Sequence, residues 1–330
     1  MARTSSLLIV GCGDVGLRVV RALGGRLRVF ALTSSPERCA ALRAAGVVPL
    51  IGDLDAARSL GRLAGLADAV LYLAPPPSTG ATDPRLRSLL VALSRRSLPS
   101  RVVYASTTGV YGDCQGDWVV ETRPVNPTTD RARRRVDAES HLRAWGRVTG
   151  VRVSTLRIPG IYASDREGGK PQDRVRRGTP VLAAADDGYT NHIHADDLAR
   201  ACIAALWRGR AQRAIQVCDD SDLKTGDYYD LVADLSGLPR PLRVARADAG
   251  SHFSAAQWSF LNESRRLSNV RMKRELRLSL LWPTVRENLL AERVNGRAGY
   301  GAASCAPAGG AATTSAAGSR RGLRPGARRR

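Results

Sequence analysis

The feature that most constrains the fold of this chain is a glycine-rich turn between a short apolar run and an amphipathic segment. The run Ser6–Val10 leads directly into Gly11-Cys12-Gly13-Asp14-Val15-Gly16, and apolar residues then recur at helical spacing. A strand, a GxGxxG turn and a helix in that order are typical of the first unit of a parallel sheet that binds a dinucleotide. The motif by itself is a weak signal, but its place between a strand and a helix makes the prediction specific.

The residue types in the turn have physical roles that support this prediction. Gly11 permits a tight turn, Gly13 lets the backbone approach a pyrophosphate, and Gly16 lets the helix pack closely on the strand. Amide groups at the start of the helix then face the anion. The residues predicted to bind the pyrophosphate are Gly11, Cys12, Gly13, Asp14, Val15 and Gly16.

Short apolar runs alternate with amphipathic stretches through the first half of the chain. Further strands are predicted at Leu27–Leu32, Ala69–Leu73, Arg101–Ala105 and Val151–Ile158. Between the second and third of these, leucines at i, i+3, i+4 and i+7 predict a helix over Asp83–Ser97 with one buried face. The alternation predicts an α/β fold with a doubly wound parallel Rossmann sheet.

The pattern loosens after Pro159, where glycines and prolines mark loops, and becomes helical again over Asp196–Trp207. We therefore predict a smaller C-terminal substrate lobe beside the sheet domain. The expected division is a Rossmann domain over residues 1–158, to which 191–216 return, and a substrate lobe formed by 159–190 and 217–290.

From Ala291 the composition shifts to Ala, Gly, Ser and Arg without apolar periodicity, which predicts a disordered tail over 291–330. The tail holds eight arginines and one glutamate, and so supplies part of the net charge of +21. An electrostatic tail for RNA or DNA is one interpretation. However, only three of the 51 basic residues are lysines, a skew that a GC-rich genome produces without selection for binding. With aromatic residues at 5% and no helix-turn-helix, RNP or zinc signature, we do not expect nucleic acid as a partner.

The pattern of cysteines and apolar runs helps to predict the cellular compartment of the protein. Six cysteines are scattered without a CxxC pair or a His/Cys cluster at metal-ligand spacing, so we expect a reduced chain without a metal site. The amino terminus lacks an apolar run long enough for a signal peptide, and the chain nowhere reaches eighteen consecutive apolar residues. A cytoplasmic protein without a membrane segment is the expectation.

The residues after the second predicted strand bear on the choice of dinucleotide. An NAD site usually places a carboxylate there, about 20 residues past the glycine turn, to bond the ribose 2′-hydroxyl. Here Thr33, Ser34 and Ser35 stand at the strand end, and Glu37 is expected in the first turn of the next helix. Ser34, Ser35 and Arg38 suit a 2′-phosphate, which favours NADP, with NAD as the close alternative.

Six segments in a fixed order carry a family resemblance. They are Gly11–Gly16, Gly52–Leu54, Tyr72–Pro76, Ser106–Gly112, Arg157–Tyr162 and His192–Leu198. Together they resemble the extended and atypical short-chain dehydrogenase/reductases, the group that contains the NAD(P)-dependent sugar epimerases and dehydratases. The runs Asn191–His194 and Glu263–Arg266 are similar to the YeeZ-like atypical subgroup. The resemblance spans residues 6–290 and implies a Rossmann fold with a bound NAD or NADP and a small-molecule substrate; it also makes a homodimer a reasonable expectation.

The resemblance also implies roles for individual residues. Asp53, followed by Leu54, matches the acidic residue that contacts the adenine amino group, although an N-cap for a helix starting at Leu54 is an equally physical role. Ala74 and Pro75 match the backbone stretch that lines the cofactor. Thr107 matches the Ser/Thr that hydrogen-bonds the substrate oxygen, and its alternative role is a strand-end hydroxyl that bonds the backbone.

The catalytic tyrosine of the family is missing. Its YxxxK pair places a phenol and an ammonium on one helix face, and here Arg131 and Arg135 stand at those positions. A guanidinium is always protonated near neutral pH, so Arg131 cannot cycle a proton as a phenol does. Arg131 can instead bind an anionic or carbonyl substrate through its guanidinium hydrogen bonds, and Arg135 can bind the ribose hydroxyls of the cofactor. A solvated helix face is the other interpretation of this run, and we favour it for Arg133 and Arg134.

Two functions from different classes follow. The first is an NAD(P)-dependent oxidoreductase or epimerase/dehydratase that transfers hydride at a carbonyl or alcohol carbon of a nucleotide sugar or small carbonyl compound. The second is a non-catalytic NAD(P)-binding redox sensor that has lost the acid/base tyrosine. The available replacement proton carriers are Tyr111, Tyr189, His192 and His194, whereas Asp196 or Asp197 is expected to cap the helix at Leu198.

Overall fold

The computed structural model describes residues 5–301 and is built on a parallel sheet of seven strands. In chain order the strands are β1 (Ser6–Val10), β2 (Arg28–Thr33), β3 (Val48–Ile51), β4 (Ala69–Tyr72), β5 (Arg101–Thr107), β6 (Trp118–Val119), β7 (Arg152–Ile158), β8 (Gly160–Tyr162), β9 (Val181–Leu182), β10 (Tyr189–Thr190), β11 (His192–His194), β12 (Arg213–Gln216), β13 (Leu223–Lys224), β14 (Arg243–Val244) and β15 (Arg266–Leu267). The seven-stranded sheet has the order β12-β7-β5-β4-β1-β2-β3. The chain therefore reverses its direction of winding between β1 and β4, and a crevice opens there at the carboxyl ends of the strands.

Helices cover both faces of this sheet. They are α1 (Asp14–Leu23), α2 (Arg38–Ala44), α3 (Pro84–Leu93), α4 (Asp130–Thr149), α5 (Pro171–Arg176), α6 (Ala195–Arg208), α7 (Thr225–Ser236), α8 (Ala249–His252), α9 (Ala255–Leu261), α10 (Val270–Glu275) and α11 (Val285–Gly301), with 3-10 helices at Ala57–Leu63, Thr108–Tyr111 and Arg246–Asp248. Residues of each strand alternate between two cores. One core contains Leu7, Ile9, Ala31 and Leu71 of the sheet with Val19, Leu198 and Cys202 of α1 and α6. The other contains Leu8, Val10, Phe30 and Tyr72 with Leu86, Leu90 and Leu142 of α3 and α4. The predicted doubly wound Rossmann sheet is confirmed.

All five strands predicted from the sequence are present, but two strands of the sheet were not predicted. β3 contains Pro49 and is half exposed at the sheet edge, and β12 is a short edge strand that begins with Arg213. The proline within β3 and the polar residues at both ends of β12 weaken the strand signal, and both are tolerated because each strand pairs with the sheet on one side only. The helix predicted over Asp83–Ser97 is shorter: it ends at Leu93, and Asp83 caps it by accepting a hydrogen bond from the Leu86 amide at 3.1 Å.

Among the described residues, four short strand pairs lie outside the seven-stranded sheet. β8 pairs with β11, β9 with β14, β10 with β13 and β6 with β15. Up to Ala291 the described residues pack as one unit. The division into a Rossmann domain and a substrate lobe stays a prediction. The homodimer also stays a prediction. Helix α11 runs to Gly301 and so includes the start of the predicted tail, whose residues 302–330 lie outside the described part of the chain.

Over residues 5–301, none of the helices combines the length and the apolar character that crossing a membrane requires. In the same range, no group of three or more His, Cys, Asp or Glu side chains is arranged to hold a metal ion.

A buried ion pair ties α4 to the sheet. Arg157 of β7 and Glu139 of α4 are each about 4% exposed, and their Nη2 and Oε2 atoms lie 2.7 Å apart. Ser106 of β5 donates a hydrogen bond to Glu139, and Arg157 also donates to the Tyr111 hydroxyl at 2.8 Å. Because each charge has several partners, the cost of removing the pair from water is offset, and α4 is held at a defined distance from β5 and β7.

We expect Glu139→Gln to lower the free energy of unfolding by about 3–5 kcal/mol, because it leaves the buried Arg157 guanidinium without its counter-charge. The matched control is Arg133→Gln on the same helix, which removes an exposed ion pair with Asp130. It should cost less than about 1 kcal/mol. Urea unfolding followed by circular dichroism measures both values, and equal losses in the two variants would contradict the structural role of the buried pair.

Candidate functional site

The glycine turn has the local geometry that its sequence predicts. Gly11 has a φ of +86°, and a Cβ atom there would lie 2.5 Å from the Ala74 amide nitrogen, so only glycine fits beside the end of β4. At Gly16 a Cβ would lie 3.4 Å from Ile9, which reflects the close packing of α1 on β1. At Gly13 a Cβ would meet nothing within 4 Å. The backbone of Gly13 is therefore open to a ligand, as an approaching pyrophosphate requires.

A cavity of about 310 Å³, which we call the glycine-turn cavity, lies over this turn. It is lined by Gly11, Gly13, Asp14, Val15, Gly16, Leu73, Ala105, Ser106, Thr107, Arg135, Ile158, Pro159, Ile161, Arg166 and Leu198. The cavity combines the amide end of α1 with the carboxyl ends of β1, β4, β5 and β7, an arrangement that suits a dinucleotide diphosphate and nicotinamide. Cys12 does not line it: its side chain is buried, and burial raises the pKa of the thiol to about 11, so it stays uncharged.

A second cavity of about 240 Å³, the strand-end cavity, adjoins the first at Gly11. It brings together all the remaining predicted cofactor residues, namely Thr33, Ser34, Arg38, Asp53, Leu54, Ala74 and Pro75. Arg38 donates a hydrogen bond to the Cys12 carbonyl at 2.7 Å, which holds its guanidinium at the rim. Asp53 does not cap a helix at Leu54, because the next helical segment is the 3-10 helix from Ala57; its Oδ1 instead accepts from the Asp55 amide at 2.9 Å.

A third and larger cavity of about 490 Å³ lies between the sheet edge and the region after β7. Its lining includes Pro75, Thr107, Thr108, Arg131, Arg135, Pro159, Arg174, Tyr189, Asn191, His192, Thr225, Tyr229, Phe260, Leu261, Glu263 and Arg265. Three of these residues, Thr107, Arg135 and Pro159, also line the glycine-turn cavity. The two cavities therefore meet where β5 and β7 end.

Thr107 combines both roles that the sequence leaves open for it. Its Oγ1 accepts a hydrogen bond from the Gly109 amide at 3.3 Å and so caps the 3-10 helix that follows β5. A hydroxyl that accepts in this way keeps its own hydrogen to donate. Thr107 can therefore donate a hydrogen bond to a ligand atom at the junction of the two cavities.

The arginines of α4 differ in their surroundings. Arg135 donates from Nη1 to the Ala105 carbonyl at 2.9 Å and to the Tyr104 hydroxyl at 3.0 Å, which fixes it at the cavity junction. Arg131 lies one helical turn earlier with its guanidinium 4.0 Å from the centre of the Phe260 ring. The prediction of a solvated face holds for Arg133, which is exposed, but is wrong for Arg134, which is buried and donates to the Gly80 carbonyl. Arg134 is buried because the loop before α3 packs across this part of α4.

The structure separates the four proton-carrier candidates. Tyr111 is buried and bonded to Arg157, and burial raises the pKa of its phenol. His194 caps α6 by accepting from the Asp196 amide at 3.2 Å, and burial lowers its pKa. Only Tyr189 and His192 of the four line the large cavity, and burial, with the nearby charge of Arg174, lowers the pKa of His192 to about 3. His192 is therefore a neutral imidazole at pH 7.

Neither Asp196 nor Asp197 caps a helix at Leu198, because α6 starts at Ala195 and has His194 at its cap. Asp197 is fully buried instead and accepts hydrogen bonds from the Leu281 and Trp282 amides. The sequence pattern near the helix start does not reveal this role, since the partners lie more than eighty positions further along the chain.

Ion pairs surround the amino-terminal end of α1, which faces the glycine-turn cavity. Asp14 places a carboxylate beside the helix amides, and Arg166 pairs with it at 2.6 Å while lining the glycine-turn cavity. The buried Arg18 also pairs with Asp14 at 3.1 Å, and with Asp165 and Asp196. These arginines offset a negative charge that would otherwise oppose a diphosphate. Arg166 was not predicted, because its loop carries no motif and only the fold brings it to α1.

Comparisons with known proteins agree with this architecture. A family model described as the NAD dependent epimerase/dehydratase family matches residues 7–218. Protein YeeZ of Escherichia coli (strain K12) is 26% identical over 260 residues, which are 73% of this chain and 88% of that protein. The structure of a functionally unknown conserved protein from Silicibacter pomeroyi DSS has 30% identity and a TM-score of 0.73, and the match covers 89% of this chain and 99% of that chain. At 22% identity, a crystal structure of DesIV (dTDP-glucose 4,6-dehydratase) from Streptomyces venezuelae with NAD and TYD bound is similar in fold, with a TM-score of 0.69 over 88% of this chain and 97% of that chain.

We expect Gly13→Ala to weaken binding of NADPH by at least about tenfold, or ~1.4 kcal/mol, because the new methyl group occupies space left for the ligand. The free energy of unfolding should stay within about 0.5 kcal/mol of the wild-type value, because no protein atom lies within 4 Å of the added carbon. Gly250→Ala is the matched control, since its Cβ also meets nothing within 4 Å and it lines none of the three cavities. Calorimetric titration measures the affinities, and unchanged binding in Gly13→Ala would contradict this placement of the diphosphate.

Proposed function

The chain belongs to the NAD-dependent epimerase/dehydratase family, whose cofactor is a nicotinamide dinucleotide, and from this premise we propose that it is an NAD(P)-dependent oxidoreductase or epimerase/dehydratase. The family membership confirms the resemblance seen in the sequence motifs. In this proposal, hydride transfer takes place at a carbonyl or alcohol carbon of a nucleotide sugar or a small carbonyl compound. The large cavity holds that substrate, and the other two cavities hold the cofactor.

The observation that carries the proposal is the meeting of two cavities at Thr107 and Arg135. A hydride donor and acceptor must lie in contact, with the reacting atoms about 3–3.5 Å apart. A cofactor in the glycine-turn cavity and a substrate in the large cavity come together only at this junction. The bound nicotinamide supplies or accepts the hydride.

The residues at the junction have distinct roles in this proposal. The Thr107 hydroxyl donates a hydrogen bond to the substrate oxygen and thereby polarises the carbonyl. Arg135, fixed by Tyr104 and Ala105, holds the ribose hydroxyls of the cofactor, as the family's lysine does at this position. Burial raises the pKa of Tyr104 to about 12, so this phenol is not an acid or base near neutral pH. In this proposal the proton that accompanies the hydride is exchanged with solvent, because Arg131 does not exchange a proton near neutral pH.

We further propose that the cofactor is NADP rather than NAD. Among the residues that line the strand-end cavity, Asp53 is the only carboxylate, and it follows β3 rather than β2. At the end of β2 the lining consists of Thr33, Ser34, Ser35 and Arg38. Hydroxyl groups and a guanidinium stabilise a 2′-phosphate dianion, whereas a ribose hydroxyl has no carboxylate to bond there.

For the hydride-transfer proposal, the decisive pair of variants is Thr107→Val and Thr107→Ser. Loss of the hydroxyl in Thr107→Val should lower kcat by at least about 100-fold, as removal of one oxyanion donor does in other enzymes. Thr107→Ser keeps both the donor and the cap and should retain most of the activity. Oxidation of reduced cofactor with a panel of carbonyl compounds and nucleotide sugars measures these rates. Equal rates in the two variants would exclude a role for the hydroxyl.

For the choice of cofactor, we expect Arg38→Ala to weaken NADPH binding about 10–100-fold more than NADH binding, because only the 2′-phosphate loses a charge-assisted contact. Arg43→Ala, an exposed arginine on the same helix, is the control and should change neither affinity. If Arg38→Ala weakened NADH and NADPH equally, the 2′-phosphate assignment would be wrong.

A non-catalytic redox sensor is the second candidate, and one observation favours it. An arginine stands where the family has its acid/base tyrosine, and His192 in the same cavity is neutral at pH 7. A sensor would bind reduced and oxidised cofactor with different affinities and turn over none of the panel. Turnover that depends on the Thr107 hydroxyl distinguishes the enzyme from the sensor.

A further inference from the structure

The large cavity has an unusual charge balance. Four guanidinium groups line it, those of Arg131, Arg135, Arg174 and Arg265, and the lining contains a single carboxylate, Glu263. His192 adds no positive charge, because its imidazole is neutral at pH 7. The cavity therefore carries an excess of positive charge.

The carboxylate in the lining is already engaged. Its Oε2 lies 2.6 Å from Nη2 of Arg265 and 2.9 Å from Nη1, and its Oε1 accepts from the Thr128 hydroxyl at 3.1 Å. Among residues 5–301, neither Arg131 nor Arg174 has an ion pair with a carboxylate. Nε and Nη2 of Arg174 are buried and have no hydrogen-bond partner in the described residues. Within the described residues, neither guanidinium thus has an ion-pair partner of its own: the charge of Glu263 acts on Arg131 from beyond ion-pair distance, and Glu263 is itself paired with Arg265.

Aromatic rings hold both of these side chains in place. The Phe260 ring lies 4.0 Å from the Arg131 guanidinium carbon, and the Tyr229 ring lies 4.6 Å from that of Arg174. Stacking occupies one face of a guanidinium and orients its planar edge, which matches the two oxygens of a carboxylate or phosphate group. An oriented guanidinium without an ion-pair partner is the arrangement that an anionic ligand completes.

The position of Arg131 places this charge close to the reacting atoms. Arg131 and Arg135 are four residues apart on α4, so their Cβ atoms lie about 5–6 Å from each other on one helix face. Arg135 lies at the junction with Thr107. We propose that the substrate is an acid whose carboxylate or phosphate group binds Arg131 and lies close to the carbon that exchanges hydride, with Arg174 adding to the anionic preference of the cavity. This inference rests on the proposed function for the role of the cavity, but its test does not require turnover.

A neutral sugar ring at this place is less favourable on electrostatic grounds. It would leave the Arg174 guanidinium, whose Nε and Nη2 atoms are buried, without an ion-pair partner, whereas an oxyanion supplies both charge and paired acceptors to Arg174 and to the more exposed Arg131. From the sequence, Arg131 could bind either an anionic substrate or a neutral carbonyl substrate. Of these two, we propose the anionic substrate.

The test is a calorimetric titration of the full chain saturated with NADP⁺ at low ionic strength, with malonate as the carboxylate probe and inorganic phosphate as the phosphate probe. At least one probe should bind with a Kd of about 1 mM or tighter. Arg131→Gln should weaken that binding by at least about tenfold, and Arg174→Gln should weaken it to a smaller extent. Arg131→Lys should recover part of the affinity, because it keeps the charge without the planar fork. Arg133→Gln, an exposed arginine on the same helix, should bind like the wild type.

The results separate this inference from the proposed function. The probe that binds more tightly identifies the acid as a carboxylate or a phosphate. Failure of both probes to bind the wild type, or equal affinity in Arg131→Gln and Arg133→Gln, would overturn the inference. Arg131-dependent binding without turnover would keep the acid site and reject hydride transfer. Turnover of neutral carbonyls that is the same in Arg131→Gln would keep the enzyme and reject the acid site.

Discussion

The close approach of the Gly11 backbone to Ala74 is the contact on which the arrangement of the three cavities depends. A side chain at residue 11 would overlap the Ala74 backbone, so β1 and β4 can end side by side only with glycine there. These are the two strands between which the sheet reverses its winding. The crevice at this point receives the amide end of α1 on one side and the ends of β4, β5 and β7 on the other. The turn into α1 and the ends of β4, β5 and β7, which are four separate segments of the chain, thus reach one edge of the sheet.

The arrangement of the cavities also depends on the position of α4 relative to that edge of the sheet. The buried pair of Arg157 and Glu139 joins α4 to β7, and Arg135 of the same helix bonds the Ala105 carbonyl of β5. A helix held at two points along its length presents Arg131 and Arg135 to the cavity in a defined orientation. Along α4, Arg131 and Arg135 line the large cavity, Arg133 is exposed and Arg134 is buried, so the charge of this segment cannot be interpreted as one solvated surface.

The chemistry available in the large cavity is dominated by binding and orientation. The described lining contains no phenol at the family's catalytic position, His192 is neutral, and Glu263 is engaged by Arg265. A guanidinium supplies charge and directed donors but does not exchange a proton near neutral pH. The large cavity thus offers positive charge and directed hydrogen-bond donors where the family has its catalytic phenol.

The sequence by itself determined the features that depend on neighbouring residues. The glycine turn and the alternation of strands and helices follow from backbone geometry and from periodicity, both of which act over a few positions. The family resemblance of short motifs added Asp53, Ala74 and Thr107. Thus five strands, the winding of the sheet and the places of Thr33, Asp53, Ala74 and Thr107 along the crevice could be predicted.

Only the tertiary structure decided the features that depend on distant partners. Arg134 and Asp197 are buried because segments far along the chain cover them, and His194 rather than an aspartate caps α6 because β11 leads straight into the helix. Arg174 and Phe260 carry no local signal, and only the fold brings α5 and α9, on which they lie, to the cavity that Arg131 lines. The physical reason is that burial and charge pairing are properties of the surroundings of a side chain, and these surroundings exist only in the folded chain.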